Sequence, residues 1–453
     1  MLTTSTYPPA ERSFLNWLWQ PVENAPLVVF RWCFGLLLFL ETAGAIATGW
    51  VRQNLVEPKW HFPFIGFEWL TPLPGSGMYY YYAVMAALGL LVMVGFYYRA
   101  SLTLFTLMWW ASYLMQKISY NNHYYLLLLL CFQMLLVPAH AYASLDARRK
   151  PALKAYTCPR WCLLIFVAQM GMVYTYAGVA KLDADWLAGI PIKIWFSGKA
   201  HFWLIGPLLQ EPWFQQLVVY GGLAFDLLIT PLLLWRRTRV FAFAVAVFFH
   251  GFNEAVFHIG IFPFLALALC LFFFEPESVR RMFLRRKPAV TPEEFTPRLP
   301  VSWREKALLV LLGVYFVFQV LLPLRHFWFP GNPNWTEEGH RMAWHMMLRS
   351  KSGEANFKVV ADGHTFWVEP AAHLTPKQAR KLAAYPDLLW QFSQYLARDF
   401  KARGYQQVEV YVHAQASLNL RPSQPLVDST VNLAAVPWRP FTPASWIVPL
   451  QGK

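Results

Sequence analysis

Charge is what this chain has least of. Only 14% of its 453 residues are Asp, Glu, Lys or Arg, against about 25% in an average soluble protein, while 57% are hydrophobic and 18% aromatic. A soluble fold could not hide so much apolar surface, and disordered chains are poor in just these residues. Cysteine is scarce as well. Five is an odd number; Cys33, Cys131 and Cys270 lie inside apolar runs, and Cys158 and Cys162 have no second pair to complete a zinc site. No disulfide framework follows. The N-terminal stretch holds Pro8, Pro9, Glu11 and Arg12 and lacks a small-residue cleavage site after a short apolar core. No removable signal peptide is expected, so the first apolar run stays as an anchor. No internal repeat is visible.

What the chain does have is long apolar runs. A helix crossing a bilayer needs about 17–25 mostly apolar residues. Such runs fall at 27–49, 77–97, 101–116, 124–143, 161–180, 214–235, 240–256, 259–275 and 305–325. The third is short, and the seventh and eighth are nearly continuous. Arg99, then Arg148, Arg149, Lys150, Lys154 and Arg160, then Arg236, Arg237 and Arg239, then Arg280, Arg281, Arg285, Arg286 and Lys287 occupy alternate connections. The intervening connections hold only Arg52 and Lys59, Lys117, and Lys181, Lys193 and Lys199. Short cytoplasmic loops carry the Lys and Arg excess, which puts the N-terminus in the cytoplasm and the tail beyond residue 326 on the other side. The membrane is a bacterial inner membrane or an endoplasmic reticulum membrane. The net charge of +14 thus reports orientation and not a nucleic-acid partner.

The tail has soluble composition. Phe357 to Pro370 reads as two strands around Ala361-Asp362-Gly363-His364, where Asp-Gly favours a tight hairpin. Thr375 to Gly404 reads as helix with a cap at Thr375-Pro376, a break at Pro386 and a stop at Gly404. Gln407 to His413 alternates as a strand. The expected fold is therefore a multi-pass α-helical membrane protein with about nine spans (1–326) and a small extracytoplasmic α+β domain (327–453).

Polar residues in or beside spans are the informative ones. Asn121-Asn122-His123 stands at the outer end of the fourth run, either as a helix cap or as donors to a polar ligand. Lys181 ends the fifth run in YTYAGVAKLDADW; it is either a snorkelling lysine paired with Asp183 or Asp185, or a desolvated general base. His250, Glu254 and His258 share a helical face, which suits either a metal or plain packing. Arg31 lies near the inner boundary, where it can snorkel. Glu41 and Asp226 sit at membrane depth, as buried hydrogen-bonded partners or as part of a transport path.

The ordered stretches HFPFIGFEWLTPLPGSGMYY (61–80), QKISYNNHYYLLLLLCFQ (116–133), YAGVAKLDADWLAG (176–189), GGLAFDLLITPLLL (221–234), FFHGFNEAVFHIGIFP (248–263), NWTEEGHRMAWHMMLRS (334–350) and PWRPFTPASWIVPL (437–450) carry a resemblance. The sequence resembles the vitamin K-dependent gamma-carboxylase family, whose membrane part is also called the horizontally transferred transmembrane domain. The resemblance implies oxidation of vitamin K hydroquinone by O2 to the epoxide. That step generates a base strong enough to take a γ-hydrogen from a glutamate side chain, and the carbanion captures CO2. No metal is implied. Lys181 matches the family's catalytic lysine, and Asn122 and His123 match residues that position the quinone and stabilise charge. Asn121, His250, Asn253, His340 and Trp344 complete the implied substrate-binding set. Expected partners are a glutamate-containing peptide or protein, a lipid-soluble quinone and membrane lipid.

Two departures bear on this expectation. His340 stands where animal members carry a tyrosine linked to carbanion stabilisation, and the sequence ends at Lys453, short of the animal enzymes, so their propeptide-recognition surface is expected to be missing. An epoxidase without peptide carboxylation is the alternative enzyme reading, and a transporter using Glu41 and Asp226 is the alternative of another class. The NWTEEGHRMAW segment is expected to close the site from outside.

Overall fold

A computed structural model describes residues 14–291 and 302–451; the prolines and charges expected to mark the N-terminus lie outside the described residues. The apolar runs form helices α1 (Ala25–Ala47), α2 (Gly77–Val94), α3 (Tyr98–Met115), α4 (Asn122–Leu136), α5 (Trp161–Ala180), α6 (Pro212–Leu234), α7 (Arg239–Phe257), α8 (Phe262–Leu269) and α9 (Trp303–Leu324). Among the described residues, six helices are long and apolar enough to cross a membrane: α1, α2, α5, α6, α7 and the helical run Trp303–Trp328 that includes α9. Helix α3 has 18 residues but is diluted by Arg99, Ser101, Thr103, Thr106 and Ser112, and α4 has 15. The seventh and eighth runs are separate helices: His258 (φ 53°) and Gly260 (φ 87°) adopt left-handed backbone, and the Glu254 carboxylate accepts the Gly260 N–H at 3.0 Å.

The cation-rich connections gather at one end of the helices. There Glu23 accepts from Lys287 (2.9 Å) and forms an ion pair with Arg280 (2.8 Å). Arg31 departs from the snorkelling expectation. It is fully buried, and its guanidinium donates to the carbonyls of Ala139 (2.8 Å), Tyr142 (3.1 Å) and Met93 (3.2 Å). Met93 lies in the last turn of α2, and Ala139 and Tyr142 lie in the connection after α4, so internal carbonyls replace water around the guanidinium.

The tail covers the opposite end. Strands β1 (Lys351–Ala361), β2 (His364–Val368), β3 (Val408–Leu418) and β4 (Gln424–Pro425) form an antiparallel sheet in the order β2-β1-β3-β4. The expected hairpin is present, with Ala361 opposite His364 and positive φ at both Asp362 (48°) and Gly363 (82°), the combination of a primed two-residue turn. Helices α10 (Pro376–Leu382) and α11 (Pro386–Ala402) flank the break expected at Pro386, and a capping box joins Thr375 and Gln378. Alternate residues of β3 (Val410, Val412, Ala414, Ala416, Leu418) point into a core with Phe392 and Leu396 of α11.

The tail and the helices share their cores. Phe62 and Ile118, from connections between spans, pack in the tail's core, and Trp344 of the tail packs in that of the helices. Polar ties follow the same seam: Gln378 donates to the Trp60 carbonyl (2.8 Å), Gln391 to that of Pro63 (3.0 Å), and Lys117 to Asp387 (2.6 Å).

Candidate active site

Gly178, in the last turn of α5, explains why Lys181 sits where it does. A Cβ at Gly178 would lie 2.5 Å from Leu227 Cδ2 and 3.2 Å from the Leu227 backbone nitrogen of α6. Glycine lets the two helices close, and the next turn delivers the Lys181 ammonium to the carboxylate of Asp226 in a buried ion pair. The Trp186 ring lies 5.2 Å from the Lys181 nitrogen.

Neither Asp183 nor Asp185 is the partner expected for Lys181. The Asp183 side chain caps the short helix Ala184–Leu187 by accepting from the N–H groups of Asp185 (2.9 Å) and Trp186 (3.3 Å). Asp185 is bound by the tail: Arg421 grips both oxygens (2.6 and 2.9 Å) and Asn419 adds a bond at 2.8 Å. These bonds hold the Asp185 carboxyl below its usual range. Arg421 dominates, and Asn419 helps against desolvation.

At the start of α4 the capping reading holds for Asn121, whose side chain accepts the Tyr124 N–H at 2.7 Å. Asn122 does something else. It accepts from the Tyr120 hydroxyl (2.7 Å) and donates to the His345 carbonyl of the tail (3.2 Å). The His123 ring stacks on Phe262, with centroids 4.1 Å apart and planes 13° apart. Phe262 also meets the edge of His250 (5.8 Å), which shares a 2.8 Å hydrogen bond with Tyr174. Asn253 donates to the Phe249 carbonyl of its own helix, at 2.9 Å. The triplet His250, Glu254 and His258 does not converge, since Glu254 turns to Gly260 and His258 leaves the helix. Among the described residues no three His, Cys, Asp or Glu side chains are grouped to hold a metal.

Asn121, Asn122 and His123 line a cavity of about 240 Å³ together with Lys117, His340 and His345. His340 is bonded to Arg349, and its other ring nitrogen is 3.7 Å from Glu337. Burial, then the Arg349 charge, holds the His340 imidazole well below its usual pKa, and burial lowers that of His345 to about 3. Both rings are therefore neutral at pH 7. Trp344 packs on Tyr125 at 5.2 Å and is 1% exposed. Its indole nitrogen and His345 Nδ1 are buried without a hydrogen-bond partner among the described residues. The segment carrying them is locally strained: Glu337, Met342, Trp344 and Met347 all have φ between 53° and 63° without being glycine. Such conformations cost about 1–3 kcal/mol each and cluster at functional sites.

Lys181, His250, Asn253 and Trp344 do not line this cavity. A layer of rings joins the two centres. Phe225, next to Asp226, packs on His250 (5.7 Å) and Tyr174 (5.7 Å), and His250 continues through Phe262 to His123. The two carboxylates that raised the transport reading are both engaged, Asp226 by Lys181 and Glu41 by the Tyr124 hydroxyl.

Several contributors were not singled out from the sequence. A second cavity of about 600 Å³ adjoins the first, and the two share Lys117, Glu337 and Arg341. Its walls include Arg325, Asp387, Trp438 and Trp446. Arg341 (2.8 Å) and Lys117 (2.6 Å) bind the same Asp387 oxygen. Burial alone would raise the Asp387 carboxyl, but Arg341 and then Lys117 hold it far below the usual carboxylate range. Burial lowers Lys117 to about 8, with Asp387 opposing. Lys117 was legible only as a rare cation among aromatics; Arg341, Arg349 and Asp387 gave no signal, because their partners are remote in sequence.

The architecture defines a helical membrane protein whose buried polar cluster lies where an α+β tail caps the spans. Residues 19–277 match the HTTM domain, and residues 304–453 match the vitamin K-dependent gamma-carboxylase lumenal domain. The chain belongs to the vitamin K-dependent gamma-carboxylase family. No solved structure matches it.

Proposed function

We propose that this protein is a vitamin K-dependent gamma-glutamyl carboxylase, which oxidises vitamin K hydroquinone with O2 to the epoxide and carboxylates protein glutamate with CO2. In this reading nine segments cross the bilayer, the N-terminus is cytoplasmic, and residues 327–453 form an extracytoplasmic domain over the 1–326 membrane part. The observation that carries the reading is the cavity in which Asn121, Asn122 and His123 meet His340 and His345 of the tail.

The residues present suit a quinone head group. At about 240 Å³ the cavity is smaller than the roughly 300–1,000 Å³ of a drug-sized site, which fits a ring better than a whole isoprenoid lipid. The unpartnered Nδ1 of His345, which lines the cavity, fits a ligand that brings its own oxygen atoms. When bound, the hydroquinone and O2 supply the oxidising power and the strong base. The chain's part is positioning, proton handling and dryness. The proton shared by the Lys181–Asp226 pair passes to Asp226, which leaves Lys181 a neutral amine able to take the first proton. Asn122 and His123 orient the ring, with Asn121 fixing the helix start beneath them. His250 packs behind His123 through Phe262, Trp344 packs on Tyr125, and Asn253 lies one turn beyond His250. Lys117, Arg325 and Arg341 line the adjoining larger cavity, where a glutamate carboxylate would find cations.

The test is a dual assay on purified protein with vitamin K hydroquinone and a glutamate peptide. Wild-type protein forms epoxide and fixes labelled CO2, and Lys181→Ala loses both together. Unchanged epoxide formation in Lys181→Ala would sink the assigned base. A second reading, epoxidation without peptide carboxylation, is favoured by His340, which is held by Arg349. Epoxide without label across varied peptides supports it; label incorporation by wild-type protein removes it.

A further inference from the structure

We propose that Tyr97, Arg99, Arg149 and Lys150 form a site for the phosphate of an anionic phospholipid, at the end of the helices opposite the tail. These residues line a cavity of about 220 Å³ with Ala100, Asp146 and Leu153. The cavity is not just a place where positive charges accumulate. Tyr97, in the tight connection between α2 and α3, adopts left-handed backbone (φ 42°, ψ 44°), an outlier for an aromatic residue. That conformation lays its ring 4.3 Å from the Arg149 guanidinium, which also lies 5.1 Å from the Phe96 ring. The Tyr97 hydroxyl accepts a hydrogen bond from Arg149 at 2.9 Å. A cation is thus fixed in place before any ligand arrives.

Asp146 is the acid of this cavity, and it is spent on the backbone. One oxygen accepts the Tyr97 N–H at 2.9 Å and the other the Tyr98 N–H at 2.8 Å. Arg99, whose guanidinium also donates to the Leu135 carbonyl, Arg149 and Lys150 set three positive charges against one engaged carboxylate, and an anion completes the balance. Basic pockets between helix ends are a known form of lipid head-group site.

The surroundings favour a lipid over free phosphate. Ala100 of the cavity, Leu104, Leu107 and Trp110 recur at helical spacing along one face of α3, and the last three are 47%, 55% and 47% exposed. Acyl chains have an apolar track leading away from the cavity. Leu145 and Leu153, 38% and 40% exposed, provide an apolar rim.

The experiment is native mass spectrometry of the purified full chain after exchange into mixed phosphatidylglycerol and phosphatidylcholine. Wild-type protein is expected to retain phosphatidylglycerol preferentially. Arg149→Gln and Lys150→Gln are each expected to lower that preference about fivefold, the effect of one juxtamembrane charge. Tyr97→Phe, which keeps every charge but removes the hydroxyl that holds Arg149, lowers it less. Arg236→Gln and Arg237→Gln, each of which removes one charge elsewhere at the same boundary, leave it unchanged. Equal retention of the two lipids by wild-type protein overturns the proposal, as does an equal loss in the Arg236 and Arg237 controls. Displacement of the lipid by millimolar inorganic phosphate overturns the lipid assignment. If the Arg149 variant does not fold, Tyr97→Phe and the wild-type lipid preference decide the matter.

Discussion

Replacing Asp226 by leucine separates the structural from the chemical role of the pair at the end of α5. The Lys181 and Asp226 side chains are only 9% and 5% exposed, so neither charge can turn to water when its partner is lost. Breaking a buried pair by removing one member costs about 3–5 kcal/mol, whereas exchanging both members for apolar groups of similar volume is often neutral or better. Asp226→Leu and Lys181→Met are each expected to lose about that much, roughly a thousandfold in the folding equilibrium at the midpoint of the range. The double variant Lys181→Met/Asp226→Leu should return close to wild-type stability. Denaturant unfolding in detergent, followed by tryptophan fluorescence, gives the three differences, and epoxide formation is read on the same samples. All three variants should lack epoxide, so the double variant is a stable, inactive protein. Wild-type stability in Asp226→Leu, or a double variant no better than the worse single, would refute the pairing. Epoxide made by the stable double variant would remove Lys181 from the chemistry.

The Asp387 cluster sets an acid limb. A carboxyl held below its unfolded value of 3.8 stabilises the fold above that pH, and the contribution is lost as pH falls below it. Wild-type protein should therefore lose stability steeply on acidification below about pH 4, while Asp387→Asn starts less stable and shows a shallower acid slope in thermal unfolding. The Asp185–Arg421 grip ties the tail to the segment that carries Lys181. Arg421→Ala should lower epoxide turnover more than it lowers the unfolding midpoint, and Arg421→Lys, unable to hold both oxygens, should restore only part of it. Equal turnover in all three proteins would show that the tail does not position this segment.

Much of the fold was written in local patterns. Each apolar run became helical, because a run of that length has few other ways to satisfy its backbone in lipid. The Asp362-Gly363 turn was legible because Asp-Gly tolerates positive φ at two successive positions. Strand β3 ran past His413 to Leu418, since Ala414 and Ala416 carry little strand signal of their own and are set by pairing with β1. The motifs marked Lys181, Asn122 and His123, but not their surroundings. Lys181 meets Asp226 rather than its neighbours because Gly178 leaves out a side chain that would hold the ends of α5 and α6 apart. The left-handed backbone at Met342, Trp344 and Met347 could not be anticipated, because none of these residues prefers it and only the packed seam enforces it.

The exchanged side chains at that seam dictate an order of assembly. Trp344 completes the interior of the helices, and Phe62 and Ile118 complete that of the tail, so neither half has a finished interior before the other is present. The helices must wait, incompletely packed, until the tail has been made and has docked on them. Lesions far out in the sheet should then show up as retention and degradation of the whole polypeptide in the membrane that makes it. Release of an intact but tailless helical core is not expected.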